Sequence, residues 1–225
     1  MKSALAAVGE MGSEPRGTIR LHVASAAETY LTGTLLAGFL VQNPHVNLDL
    51  VLGDESVDIV AEGYDAGVRL GEVIDGDMIA EPISGDLRLL VLGAPSYFAR
   101  RSKPLYPRDL ADHECINWHA TAAAKPYRWE FTENGREFSV AVPARVLATD
   151  PVLNLRIALA GVGLTLATED RVRAEVASGK LVPVLEEFSM PFPGFYLYYP
   201  QLRRASQSLR ALVAYLRALR EPKRR

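Results

Sequence analysis

The sequence is short of the features that mark several classes of protein. It holds one cysteine, Cys115, in 225 residues. A single thiol cannot form a disulfide within the chain, so the fold must rest on packing, as suits a reducing compartment. No apolar run approaches the ~18 residues that a membrane-spanning helix needs. The opening stretch Met1–Glu10 is too short in its apolar part for a secretion signal, and Glu10 interrupts it. A cytoplasmic protein is expected. Neither sign of charge dominates, with a net charge of −2. Such a balance gives no global attraction to nucleic acid or to an anionic membrane. The basic end (Arg217, Arg220, Lys223, Arg224, Arg225) reads as a solvated helix terminus that favours cations.

Catalytic signatures are missing as well. The four histidines, His22, His45, His113 and His119, show no metal-ligand spacing beyond the weak pair His113-x-Cys115. There is no GxGxxG, no phosphate loop and no Gly-x-Ser-x-Gly. Cys115 enters an apolar strand, which fits a buried, inert thiol better than a nucleophile. No repeat of the solenoid type is visible. The sequence therefore predicts a protein that is not an enzyme and carries no resident cofactor or metal.

What is present is an ordinary globular composition, 48% hydrophobic and 23% charged. The first third alternates strand and helix. Thr18–Ala24 is strand-like, and Glu28–Val41 carries a wide apolar stripe of Leu31, Leu35, Leu36, Phe39 and Leu40 that ends at Asn43-Pro44. Val46–Leu52 alternates as a strand. Asp54 is placed to cap a helix over Glu55–Glu62, and Asp65–Leu70 is a third strand. This βαβαβ order predicts a parallel sheet covered by helices.

Later come extended runs at Met78–Ser84 and Leu87–Leu92 and a short helix near Ser96–Arg101. Asn134-Gly135 between Trp129–Thr132 and Glu137–Val140 signals a hairpin. Arg145–Ala148 is a strand, and Asp150-Pro151 opens a helix in the expected N-cap–N1 order. Gly163–Ala167 is a buried strand. A helix from Thr168 or Glu169 stops at Gly179, Leu181–Val184 is extended, and Phe195–Tyr199 is a late strand. A final helix over Arg203–Arg220 turns Leu209, Leu212, Val213 and Leu216 inward. Lys2–Met11 also suits a helix, broken by Gly12, Pro15 and Gly17.

Several segments in order resemble the effector-binding domain of LysR-type transcriptional regulators. They are Pro15-Arg16-Gly17-Thr18-Ile19-Arg20-Leu21, Phe39-Leu40 with Asn43-Pro44-His45-Val46, and above all the run from Val57 to Gly71 (VDIVAEGYDAGVRLG). Supporting matches are Leu110–Ile116, Ala160–Leu164 and Ser178–Leu185. The likeness covers the chain from Pro15 onward. The winged helix-turn-helix of such regulators has no counterpart, and residues 1–16 resemble the end of the linker helix. The resemblance implies an α/β fold like type 2 periplasmic binding proteins, with two Rossmann-like lobes joined by a two-strand hinge. Lobe I would be residues 17–84 plus 191–225, and lobe II residues 85–190. It further implies a small-molecule effector in the interlobe cleft, an antiparallel homodimer (a tetramer in the full-length protein), and DNA contact only through the missing domain. The helices Glu28–Val41 and Leu153–Ala160 would meet across the dimer axis, and both are broadly apolar. Rivals on the same fold are a solute-binding protein and an enzyme.

Ligands of open α/β sheets sit beyond the carboxyl ends of strands, where helices begin. Three such places stand out. Ser25, Ala26 and Thr29 follow the first strand, either offering hydroxyls and free N–H groups to an anion or simply capping the helix. Glu28, an acid in that loop, weighs against a simple carboxylate effector. Arg69 and Gly71 end the third strand, and Arg69 either grips a carboxylate or pairs with Glu28 or Glu72. In the other lobe, Asp150 and Val152 open a helix. Asp150 is expected to cap it, which favours a neutral or hydroxylated ligand group. Trp118 is either an aromatic wall or ordinary core. Thr168 completes the set.

Overall fold

The computed structural model describes residues 14–31, 35–74, 76–200 and 205–220. The helix expected over Lys2–Met11 lies outside them, as do Arg203 and Arg204 at the start of the last expected helix. The described residues through Ser84 form one unit with those from Phe195 on, and Gly85–Gly194 form a second.

The first unit is built on a five-stranded sheet in the order β2-β1-β3-β13-β4. Strand β1 (Gly17–Val23) lies between β2 (Val46–Leu52) and β3 (Ala66–Leu70), parallel to both. Burial alternates along β1 through Ile19, Leu21 and Val23, the period of two that its sequence shows. His22 breaks that alternation by being buried too. β13 (Phe195–Tyr199) returns antiparallel between β3 and β4 (Ile79–Pro82). The helix Gln207–Arg220 packs against β1 and β4 and buries Leu209, Leu212, Val213 and Leu216. Its start is fastened by Ser208, whose hydroxyl donates to the Arg16 carbonyl at 2.7 Å.

Two helices differ from those expected. The chain is helical at Glu28–Leu31 and at Leu36–Gln42, with residues 32–34 outside the description. The helix expected over Glu55–Glu62 is absent, and turns take its place. Asp58 Oδ1 accepts the N–H groups of Val60 and Ala61, both at 3.0 Å, and Glu62 N–H reaches the Asp58 carbonyl. The run Val57-Asp58-Ile59-Val60 combines β-branched residues with a side chain that competes for backbone donors, so one capped turn wins over a helix. Ile59, only 1% exposed, anchors it.

In the second unit, β5 (Leu87–Gly93) runs antiparallel between β10 (Thr165–Thr168) and β11 (Val182–Val184). β6 (Cys115–Trp118) pairs in parallel with β9 (Ala144–Ala148). Cys115 also forms an isolated parallel bridge to Leu164, the residue just before β10. The hairpin β7 (Trp129–Glu133) and β8 (Arg136–Val140) turns at Asn134 and Gly135, with φ of 50° and 74°. Two successive positive φ values are what a type I′ turn demands, and Asn-Gly supplies them at low cost. Trp129, Tyr97, Leu110 and Leu164 are fully buried at the centre of this unit.

The short helix expected over Ser96–Arg101 occupies Pro95–Phe98. The sequence places the return to the first unit at Pro191. Pro191 and Phe192 form β12, which pairs with Arg88 and Leu87 of β5, so these two residues stay with the second unit.

Candidate functional site

In the first unit the parallel strands β1, β2 and β3 send their carboxyl ends to one edge. Ala24 N–H reaches the Val68 carbonyl at 2.9 Å, and Gly53 N–H reaches the Val23 carbonyl at 3.0 Å. Ser25 and Ala26, Asp54 and Glu55, and Arg69 and Gly71 therefore emerge side by side.

Ser25–Ala27 form a single 3-10 turn leading into Glu28–Leu31. The Ser25 backbone N–H is not free for a ligand anion. It donates to Asp54 Oδ1 at 2.9 Å. Asp54, expected to cap a helix of its own, instead caps this one from the neighbouring strand end. Ser25 and Ala26 are half-buried and Thr29 is exposed.

One guanidinium nitrogen of Arg69 donates to the Glu55 carbonyl. That bond ties the end of β3 to the turn after β2. Gly71 opens another 3-10 turn, and the Tyr196 ring occupies the space where a side chain would stand, 2.7 Å from an added Cβ.

Three residues at this edge were not among the site residues expected from the sequence: His22, Asp54 and Glu55. His22 is 1% exposed, and neither ring nitrogen has a hydrogen-bond partner. Its Nε2 stands 3.7 Å from Glu55 Oε1, and the Tyr64 ring meets it edge-on at 5.3 Å. The available signal was positional. His22 stands one residue before the end of a strand, and Asp54-Glu55 follow the end of its parallel neighbour after Gly53.

In the second unit, Trp118 lies opposite Ala148 at the matching ends of β6 and β9. Trp118 is half-buried at the strand end, not core. Its indole N–H donates to the Thr149 carbonyl at 3.1 Å, and Tyr127 meets it edge-on at 6.1 Å. Asp150 caps the helix Pro151–Leu159 as expected, accepting the Val152 N–H at 2.7 Å. Thr168 ends β10 before the helix Glu169–Ala177 and makes no side-chain cap bond. Because β10 meets β6 in parallel, Thr168, Trp118, Asp150 and Val152 share one edge.

A buried carboxamide that the sequence did not flag holds this edge together. Asn117 donates to the Tyr127 carbonyl at 2.8 Å. Its Oδ1 accepts from the Trp118 N–H and from the Trp129 indole. Asn154, on the first turn of Pro151–Leu159, donates to the Asn117 carbonyl at 3.0 Å and so pins that helix to β6.

Reactive groups are otherwise subdued. Burial, helped by the nearby Glu114 carboxylate, pushes the Cys115 thiol up to about 12. Among the described residues no cluster of histidine, cysteine and carboxylate is suited to a metal ion, and no helix is long and apolar enough to cross a membrane.

Residues 12–220 match the family model for the LysR substrate binding domain. A putative transcriptional regulator of Pseudomonas aeruginosa is 37% identical across 92% of this chain and 68% of its own length. The HTH-type transcriptional regulator PgrR of Escherichia coli is 35% identical across 96% of this chain and 72% of its own. The chain thus spans about two thirds of the length of these relatives. Among solved structures, the regulatory domain of CrgA, a LysR-type transcriptional regulator from Neisseria meningitidis, superimposes with a TM-score of 0.74 at 24% identity, covering 90% of this chain and 98% of that domain. The fold is that of LysR-type regulatory domains, of the type 2 periplasmic-binding-protein class. This chain belongs to the LysR substrate-binding domain family.

Proposed function

We propose that this chain is the effector-sensing part of a LysR-type transcriptional regulator, working in the cytoplasm and performing no chemistry on what it binds. The observation that carries the reading is the family match over residues 12–220, joined to the two strand-end edges described above. The candidate effector contacts are Ser25, Ala26, Thr29, Arg69 and Gly71 on the edge of the first unit, and Trp118, Asp150, Val152 and Thr168 on the edge of the second. Effector binding shifts the balance between arrangements of the units, and DNA-reading domains outside this chain respond. The shift extends only as far as the ligand's affinities for the two states differ.

Self-association belongs to the same proposal. Val41 is 82% exposed on the helix Leu36–Gln42, and Leu153 is 44% exposed on Pro151–Leu159. Apolar side chains presented by both helices support a dimer about a two-fold axis. A single dimer mass by light scattering at tens of micromolar is expected, and a monomer mass overturns this part.

The test of function is a thermal-shift screen with aromatic and aliphatic acids, amino acids, amines and sugars, followed by mass spectrometry of each hit. A ligand that binds the native state alone raises the transition temperature with concentration. A saturable shift with the compound recovered unchanged supports a sensor, and recovery of a product overturns it.

A further inference from the structure

The edge of the first unit is acidic where an anion receptor needs free donors. Asp54, Glu55 and Glu72 stand there, with Glu28 in the first turn of the following helix and Arg69 as the cation among them. The donor that would greet an anion, Ser25 N–H, is held by Asp54. One arm of the Arg69 guanidinium is held by the Glu55 carbonyl. Asp54 has a second carboxylate oxygen that takes no hydrogen bond among the described residues. The Glu55 carboxylate is 52% exposed and lies over Gly53, where an added Cβ would meet its oxygens at 2.6 and 2.7 Å.

An independent observation points the same way. His22 lies beneath that carboxylate, 1% exposed, with both ring nitrogens unpartnered by hydrogen bonds. Its Nε2 and Glu55 Oε1 are 3.7 Å apart, too far for a hydrogen bond to each other. With the imidazole proton on Nδ1, Nε2 is an acceptor, and a donor seated beside it and Glu55 Oε1 would serve both. A buried polar group left without a partner costs stability in the free protein, and a ligand that supplies the partner recovers it.

We propose that this edge receives a primary amine or guanidine group of the effector, held by Glu55, Asp54 and His22, and discriminates against carboxylates. This rests on the reading that strand-end residues of the first unit meet the effector, and it names the chemistry of that contact. A cationic head would accept the exposed Glu55 carboxylate as its first partner and draw on Asp54 as a second. A carboxylate would face those two negative groups, with the remaining donors of Arg69 as the cationic offset.

The test uses the whole chain and five defined probes: putrescine, agmatine and glucosamine against succinate and benzoate, at matched concentration and ionic strength. The readout is the backbone amides of Ser25, Asp54 and Glu55 and the His22 ring protons by NMR. The three cations should move these resonances saturably, and the two anions should not. Glu55→Gln should weaken the cations about tenfold or more, the scale of one charge-assisted hydrogen bond, while the exposed Glu62→Gln leaves them unchanged. Glu55 and Glu62 are both on the surface, so neither variant threatens the fold. If succinate or benzoate moves the same resonances as strongly, the edge binds effectors but the charge preference is overturned. If none of the five moves them, or Glu55→Gln binds the cations as well as the parent, the amine site is overturned while the thermal screen judges the sensing role separately.

Discussion

At the residue scale, close packing leaves some glycines no room for a side chain. Gly67 of β3 lies under the Tyr198 ring of the neighbouring β13, and a Cβ there would come within 2.4 Å of ring carbons. Gly67→Ala should cost about 1–3 kcal/mol by overpacking. Gly76→Ala, where nothing lies within 4 Å, should change little. Urea midpoints of the two variants check this, and equal midpoints would show that Tyr198 moves aside freely.

His113 offers a pH test at the same scale. Burial, and after it the nearby Arg101, holds its imidazole below the ordinary 6.5. Tyr97 fixes the arrangement: its hydroxyl accepts the Glu114 N–H and lies 2.9 Å from His113 Nδ1. The fold thus favours neutral His113, and the unfolded chain binds the proton more readily. Stability from this residue is present above pH 6.5 and falls as pH drops through 6.5 toward the lower folded value. Urea unfolding at pH 8, 6.5 and 5 should show a smaller acid-side loss in His113→Gln than in the parent. A parallel loss in both would exclude His113 as a contributor. The Cys115 thiol, pushed up to about 12, should ignore a disulfide reagent in the folded protein and react once urea unfolds it.

At the element scale, two aspartates of similar sequence context do different things. Asp150 is followed by proline and caps its own helix, whereas Asp54 caps a neighbour's. Asp150→Ala should cost about 1 kcal/mol, the usual value of an N-cap, read as a lower urea midpoint. An unchanged midpoint would mean that Trp118 and Asn154 hold that helix start without it.

This contrast also marks how far the sequence reads. The Asp150-Pro151 cap, the Asn134-Gly135 hairpin and the inward face of Gln207–Arg220 rest on neighbours within a few residues, and they were legible. The turns at 55–62 were not, because Asp54 is claimed by Ser25, a residue 29 positions away. The Arg69 bond to the Glu55 carbonyl was hidden for the same reason, since no charge pattern announces a backbone partner. Asn117 was missed because its importance lies in bonds to Tyr127, Trp129 and Asn154, which pairing of distant strands brings within reach.

At the scale of the whole molecule, the two units differ in how the chain makes them. The second is one continuous segment, Gly85–Gly194, and the first is assembled from segments on either side of it. The second unit also owns both tryptophans, Trp118 and Trp129. Trp129 is completely buried and bonded to Asn117, so its emission reports packing inside that unit alone. A fragment of residues 85–194 keeps the core of Trp129, Tyr97, Leu110 and Leu164 intact, with every pairing partner of β5 present. It should fold on its own, with the blue-shifted tryptophan emission of the full chain and a cooperative urea transition. Tryptophan fluorescence of the full chain should follow the same transition as the fragment, while far-UV circular dichroism sums both units. A fragment with the red-shifted emission of exposed indole would show that residues 85–194 do not fold on their own.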